Sequence, residues 1–375
     1  MSISPKIVLI GAYGYTGNLV AQELLRLNVP FTAFGKNELA LQELQQTNPS
    51  CTATIVADIC DQNKYKDWLF DTNLVINCAG PFNYYAEKLL DACSQLNVVY
   101  FDITGEQEVV FNSMTKRAEL AEKHGATIVH SMSFESALTD LLLSQAMSNF
   151  PRKSYSSYNS YYQIKSKQMS PGTKITMKIS GAYSNFAVHN AHLVNWPSDP
   201  LVNSDRLAPN TAHFVPYPEV IFAYKRIQPQ HAGSYYLFEP EDTMGILMSA
   251  NQRFEKKEIN VQQQLERHKK MPMVGPTEHD RAGHHFILHT YLSDENEVFY
   301  QCISGVDPYG ITAEMIGLGV KKYLEHWRST AFNQLPVGFV TPAEFLMTSG
   351  VEWLNSSAFL KIETSEKRIL ANSAS

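Results

Sequence analysis

Three glycines at three-residue intervals, Gly11, Gly14 and Gly17, close the apolar run Ile7 to Ile10 in the stretch KIVLIGAYGYTGNLVAQ. Between a buried strand and a helix, each has a mechanical use. Gly11 lets the chain turn sharply, Gly14 lets backbone approach a pyrophosphate, and Gly17 lets the new helix pack on the strand. The start of that helix offers N–H groups and a positive dipole end to an anion. The chemistry implied is dinucleotide binding by Gly11, Ala12, Tyr13, Gly14, Tyr15, Thr16 and Gly17. The spacing is GxxGxxG rather than GxGxxG, so its weight comes from the strand–turn–helix setting.

Further candidates follow the later apolar strands. Phe31 to Phe34 runs into Gly35 and Lys36. At the end of the second strand a carboxylate would hold the ribose 2′-hydroxyl of NAD, whereas a cation accommodates the 2′-phosphate of NADP, so Lys36 favours NADP(H). Asp58, after the third strand, either reaches the adenine edge or caps a helix or turn. Ala79, Gly80 and Pro81 follow the fourth strand and complete the expected cofactor set. Reduction also needs a proton donor near the acceptor. Tyr84, Tyr85, Glu106, His130 and Glu135 lie in suitable loops, and Tyr84 or Tyr85 is expected to line the nicotinamide pocket. The competing reading is helix-face packing for the tyrosines and turn-holding backbone hydrogen bonds for Glu106 and Glu135.

The elements that must position these residues alternate. Strands at Ile7–Ile10, Phe31–Phe34, Thr52–Val56, Leu74–Cys78, Val98–Phe101 and Thr127–Val129 are separated by five helical segments. This alternation predicts an α/β fold, a doubly wound parallel Rossmann sheet. Ligands of such sheets bind at the carboxyl ends of the strands, where all the candidates above lie.

Composition sets the frame. At 375 residues the chain has room for two domains, and 44% apolar with 18% charged residues suits a globular protein. A net charge of −6 without a basic block argues against nucleic acid as partner. Five cysteines without a CxxC pair argue against a disulfide framework or zinc ribbon, and are read as reduced thiols of a cytoplasmic protein. The first strand follows the N-terminus closely, leaving no room for a signal peptide, and no apolar run approaches the roughly 20 residues of a membrane span. His279, His284, His285 and His289 invite a metal hypothesis. On a strand His284 points away from His285 and His289, so no metal site is expected.

Past Phe150 the βα alternation stops. Ser154 to Tyr162 reads as a loop or an edge strand, and Gly172-Thr173 precedes a helical stretch. Gly283–Leu292 and Glu297–Ser304, joined by the turn signal Ser293–Asn296, predict a hairpin. A helix is expected over Ile311–Trp327. Another, opened by the capping box Thr341-Pro342-Ala343-Glu344, is expected from Pro342 to about Leu354, followed by a frayed polar tail after Thr364.

An ordered set of motifs then stands out: Gly11/Gly14/Gly17, Gly35-Lys36, Asn77/Gly80/Pro81 and Asp102/Gly105/Glu106, with HSMSFESALTD from His130 to Asp140 and Asp307-Pro308-Tyr309-Gly310 further on. The set resembles that of the saccharopine dehydrogenase-like oxidoreductases, which include the mycobacterial trans-acting enoyl reductases. Three substitutions within HSMSFESALTD (Ser133, Glu135, Leu138) depart from the family turn, and Lys36 stands where the family has arginine. The resemblance implies a Rossmann domain (1–135), an α+β substrate and dimerisation domain (136–340), and a C-terminal helix packing back on the first domain (341–375). It implies NADPH-dependent hydride transfer to a C=C, C=N or C=O acceptor, including an enoyl reductase on an apolar or carrier-bound substrate; of the loop residues, Tyr84, Tyr85 and Glu135 are the catalytic candidates. A homodimer through the hairpin face would be compatible. The rival reading is a nucleotide-binding sensor or scaffold that has lost turnover.

Overall fold

The strand β1 (Ile7–Ile10) is four apolar residues, each at most 2% exposed. An uninterrupted apolar run of this length suits a strand buried on both faces. Around it the computed structural model, which describes residues 4–165, 168–196, 212–237, 260–269, 274–329 and 335–370, builds a seven-stranded sheet. Its strands are β1, β2 (Phe31–Gly35), β3 (Cys51–Val56), β4 (Leu74–Asn77), β5 (Val99–Asp102), β6 (Thr127–Val129) and β14 (Gly338–Val340). The order is β14-β6-β5-β4-β1-β2-β3, and every pair is parallel. The strand order reverses between β1 and β4, which is where a doubly wound sheet opens its ligand crevice.

The described residues fall into two units, one within Met1–Thr104, Val109–Ala137 and Tyr309–Gly350, the other within Gly105–Glu108, Leu138–Pro308 and Val351–Ser375. In the first, the six expected strands are present and β14 is an addition. It is three residues long, too short for a sequence pattern to reveal. The helix Pro308–Arg328, expected with the second domain, groups with the first. Gly319 lets it approach Met132 and Phe101, where a Cβ would stand 2.8 and 3.1 Å from their side chains. The expected helix Pro342–Leu354 is two pieces, Pro342–Leu346 and Thr348–Ser356, broken at Met347, whose φ is 50°. Its capping box forms as read, the Thr341 hydroxyl accepting from Glu344 N and the Glu344 carboxylate from Thr341 N.

In the second unit the sheet order is β15-β13-β12-β7-β11-β8-β9, with β10 (Ala212–Phe214) beside β11. These strands are β7 (Ser157–Lys165), β8 (Asn185–His189), β9 (His192–Trp196), β11 (His231–Leu237), β12 (His285–Ser293), β13 (Glu297–Val306) and β15 (Leu360–Leu370). The predicted hairpin is β12–β13, in antiparallel register from His285↔Val306 to Ser293↔Val298. Two expectations are corrected. The serine- and tyrosine-rich segment is a central strand, β7, flanked by β12 and β11. The tail expected to fray after Thr364 continues β15, antiparallel to β13 out to Leu370. The helices Phe134–Asn149 and Glu219–Ile227 pack on this sheet, where Leu143, Ala146, Val220 and Ala223 share a core with Tyr158, Leu292 and Phe299. Among the described residues no helix is long and apolar enough to cross a membrane.

Candidate functional site

The glycine loop leaves β1 with Gly11 at φ 72°, a left-handed conformation that costs glycine little. Its N–H continues the pairing by donating to Phe34 O, and its carbonyl accepts from Gly14 N at 2.9 Å. A methyl group on Gly17 would stand 2.0 Å from Gly11 O, so only glycine lets the helix Tyr15–Arg26 start this close to the strand. Gly14 is the N-cap residue, with extended backbone, no side-chain cap and no acidic residue in the first turn. Gly14, having no side chain, places no cap over the first turn of that helix. Some other helix starts are closed by side chains, Asn37 accepting from Ala40 N, Ser170 from Thr173 N and Thr277 from Asp280 N, whereas those at Phe82 and Glu219 have no side-chain cap either. Ala12 is buried, and Tyr15 sets its ring edge-on to Tyr309 at 5.0 Å. Thr16 is half-buried in the first turn of the helix.

At the end of β2 four predicted residues come together. The ring of Tyr13 lies on Gly35, where a Cβ would meet it at 2.3 Å, and its hydroxyl oxygen accepts from the backbone N–H of Lys36 (3.1 Å) and Asn37 (3.2 Å). Lys36 Nζ pairs with Asp58 Oδ2 at 2.8 Å. The other oxygen, Asp58 Oδ1, accepts from Cys60 N at 2.9 Å. Burial opposes ionisation of both partners, but the hydrogen bonds and opposite charge outweigh it. Asp58 is held below the usual carboxylate range and Lys36 above the usual amine range. The Lys36 ammonium also lies 5.6 Å from the centre of the Tyr85 ring.

Tyr85 thus stands beside the charged cluster at the end of β2. Tyr84 packs edge-on against it at 4.9 Å and is 40% exposed. Both belong to the short helix Phe82–Tyr85, whose N-cap is Pro81. Asn77 braces the turn before it, accepting from Ala79 N at 3.0 Å and donating to the Tyr100 hydroxyl at 3.0 Å. Ala79 faces Gly11, where a Cβ would stand 3.2 Å from its own. Gly80 leaves room for Phe82, whose ring would meet a Cβ there at 3.0 Å.

At the ends of β5 and β6 the structure assembles a set that sequence reasoning did not join. His130 Nδ1 lies 2.6 Å from Asp102 Oδ2, and its Nε2 lies 2.8 Å from Ser113 Oγ. Asp102 Oδ1 accepts from Thr104 N and Ser131 N. The order serine–histidine–aspartate is that of a nucleophilic triad, but all three residues are fully buried. Both ring nitrogens of His130 thus have side-chain partners inside the fold. The signal that could have found it was a histidine and an aspartate directly at the ends of adjacent strands. Glu135 stands half-buried in the first turn of the helix Phe134–Asn149, which is tied at Phe134 N to Thr312 Oγ1.

Within the second unit Glu106 is buried, with Thr176 Oγ1 3.4 Å from its Oε1. Its neighbour Gln107 donates to Tyr217 O and bonds the backbone of Phe186 through both ends of its amide. The histidines suspected of metal binding are spread out. His289 Nδ1 lies 2.7 Å from the Tyr300 hydroxyl, and no cluster of three or more metal-ligating side chains exists among the described residues.

Comparison with known proteins supports the resemblance. No protein-family model matches the chain. A protein named as a mitochondrial saccharopine dehydrogenase-like oxidoreductase in Arabidopsis thaliana is 30% identical over 149 residues, 36% of this chain and 33% of that protein. A Mycobacterium tuberculosis protein named among the trans-acting enoyl reductases is 29% identical over 149 residues, 38% of this chain and 36% of its own. The matched stretch thus spans about a third of the length of these relatives. Among solved structures, apo saccharopine dehydrogenase (L-Glu forming) from Saccharomyces cerevisiae superposes with a TM-score of 0.52 at 12% identity, covering 98% of this chain and all of that one. The fold is of the saccharopine dehydrogenase kind, and the resemblance read from the motifs holds.

Proposed function

We propose that this chain is an oxidoreductase of the saccharopine dehydrogenase-like kind that uses a nicotinamide dinucleotide, NADPH in preference to NADH. The observation that carries the reading is the glycine loop with its uncapped helix start. Three glycines clear the approach, and Gly14 places no side-chain cap over the first turn. These residues fit a dinucleotide: the Gly11–Gly17 loop would hold the pyrophosphate, Lys36 and Asp58 would meet the ribose, and Ala79–Pro81 would wall the crevice. When bound, such a cofactor supplies the hydride. The chain's own tasks are to orient the acceptor, exclude water and deliver a proton.

For the proton, Tyr84 and Glu135 are the candidates this reading keeps, and Tyr85 is assigned to the cofactor's ribose end. The acceptor class is a C=C, C=N or C=O group on an apolar or carrier-bound substrate, a reading favoured by the name of the mycobacterial relative. A cytoplasmic location, from the reduced cysteines, is part of the same proposal.

The test is a fluorescence titration of the full chain with NADPH and NADH, beside Lys36→Asp. Wild type should bind NADPH more tightly. The substitution removes a charge-assisted contact and should weaken NADPH by about tenfold or more while sparing NADH. Failure of wild type to bind either nucleotide would overturn the cofactor assignment. Tight binding without turnover across a panel of enoyl, imine and keto acceptors would favour the sensor reading instead.

A further inference from the structure

The cluster at the end of β2 has an arrangement that the NADPH assignment does not by itself require. A 2′-phosphate at a Rossmann ribose site is held by cationic side chains and by backbone N–H groups after the second strand. Here both kinds of donor are already engaged. The N–H groups of Lys36 and Asn37 both point at the Tyr13 hydroxyl oxygen, and the Lys36 ammonium is paired with Asp58. The Asp58 carboxylate is itself fixed, because its second oxygen takes the Cys60 N–H. The Tyr13 ring is seated on Gly35, where a Cβ would meet it at 2.3 Å. The helix Glu38–Thr47 that starts here is capped by Asn37, whose side chain accepts from Ala40 N.

We propose that Tyr13 and Asp58 are specificity-determining residues that act against the 2′-phosphate, so that the chain accepts both cofactors with only a modest preference for NADPH. This rests on the cofactor reading above and sharpens it. An incoming 2′-phosphate must share Lys36 with Asp58, whose negative charge lies 2.8 Å from the same ammonium. Like charges this close to one cation oppose each other. The uncharged ribose of NADH meets no such opposition. Its 2′-hydroxyl can donate to Asp58, while the O–H of Tyr13, whose oxygen already accepts two hydrogen bonds, remains able to donate to a ribose oxygen. Lys36 draws the phosphate in, Asp58 and Tyr13 hold it off, and the balance sets the ratio of the two affinities.

The experiment is a paired titration of wild type, Asp58→Asn and Tyr13→Phe with NADPH and with NADH, followed by fluorescence and by isothermal calorimetry. Asp58→Asn keeps the shape and removes the charge, so the ratio of NADPH to NADH affinity should rise by about three- to tenfold, as expected for a partly exposed charge pair. Part of that change should come from weaker NADH binding. Tyr13→Phe keeps the ring on Gly35 and frees the two N–H groups, and should raise the same ratio by about two- to fivefold. A purely structural role for either residue would weaken both nucleotides together and leave the ratio unchanged. An unchanged or lower ratio in both variants overturns the inference even where wild type binds NADPH well. If wild type binds neither nucleotide, the cofactor reading fails and takes the inference with it.

Discussion

Gly14 and Gly17 sit three residues apart in one loop and meet different surroundings. A methyl group at Gly17 would collide with Gly11 O at 2.0 Å and Gly11 C at 2.8 Å, both backbone. At Gly14 it would meet only Gly11 O, at 3.1 Å. The first is needed by the fold and the second by whatever approaches the loop. Gly17→Ala should therefore lower stability by about 1–3 kcal/mol, the usual cost of overpacking, and abolish nucleotide binding with it. Gly14→Ala should melt close to wild type yet bind NADPH at least about tenfold more weakly, as a lost charge-assisted contact would. Thermal unfolding alongside titration separates the two, and a Gly14→Ala variant with unaltered binding would count against the pyrophosphate assignment. The close turn at the glycines and the charges of Lys36 and Asp58 at neighbouring strand ends were legible because backbone clearance and charge are properties of residue type. That Tyr13 would close over Gly35, and that Tyr85 would stand beside Lys36, was not. Side-chain partners across loops are set by where three separate strands end.

Glu219 opens the helix Glu219–Ile227 and is 2% exposed, its Oε1 accepting from Ser160 Oγ, Tyr162 Oη and Ser234 Oγ. Ser160 and Ser234 are register partners on β7 and β11, and Tyr162 is two residues along β7 on the same face. One carboxylate oxygen thus ties a helix start to two adjacent strands. Replacing Glu219 by Leu leaves three buried hydroxyls without their acceptor and should cost about 3 kcal/mol in urea unfolding, whereas Glu219→Gln keeps an acceptor and should cost less. Equal losses from both would show that the hydroxyl network is not what the residue supplies. Elements of this kind were unevenly readable. Capping boxes and the hairpin turn are local, and they form where the sequence indicates. The helix Phe134–Asn149 has buried residues on nearly every face, so it shows no amphipathic stripe and reads from sequence as a turn. The strand β15 carries KIETSEKRIL, which lacks apolar alternation, and it forms because β13 presents an open edge.

At the scale of the molecule, the last 41 residues contribute to both sheets: β14 extends the first beside β6, and β15 extends the second beside β13. Phe345, fully buried, sets its ring edge-on to Phe101 of β5. Ending the chain at Ser329 would expose two strand edges at once. Such a truncation should lose the cooperative melting transition and elute as aggregate in size-exclusion chromatography; a monodisperse product melting within about 2 °C of the full chain would refute this. The sequence by itself determined the parallel alternation of the first sheet, the glycine turn between β1 and its helix, and the cation at the end of β2. Each of these depends on short-range periodicity, backbone freedom or charge. The tertiary structure alone decided which segments distant in sequence complete each sheet, that His130 meets Asp102 and Ser113 inside the fold, and that Asp58 and Tyr13 engage the Lys36 ammonium and the Lys36 and Asn37 N–H groups. Those outcomes depend on which strand ends and sheet edges are brought within a few ångströms, a property of the assembled sheets that no local pattern encodes.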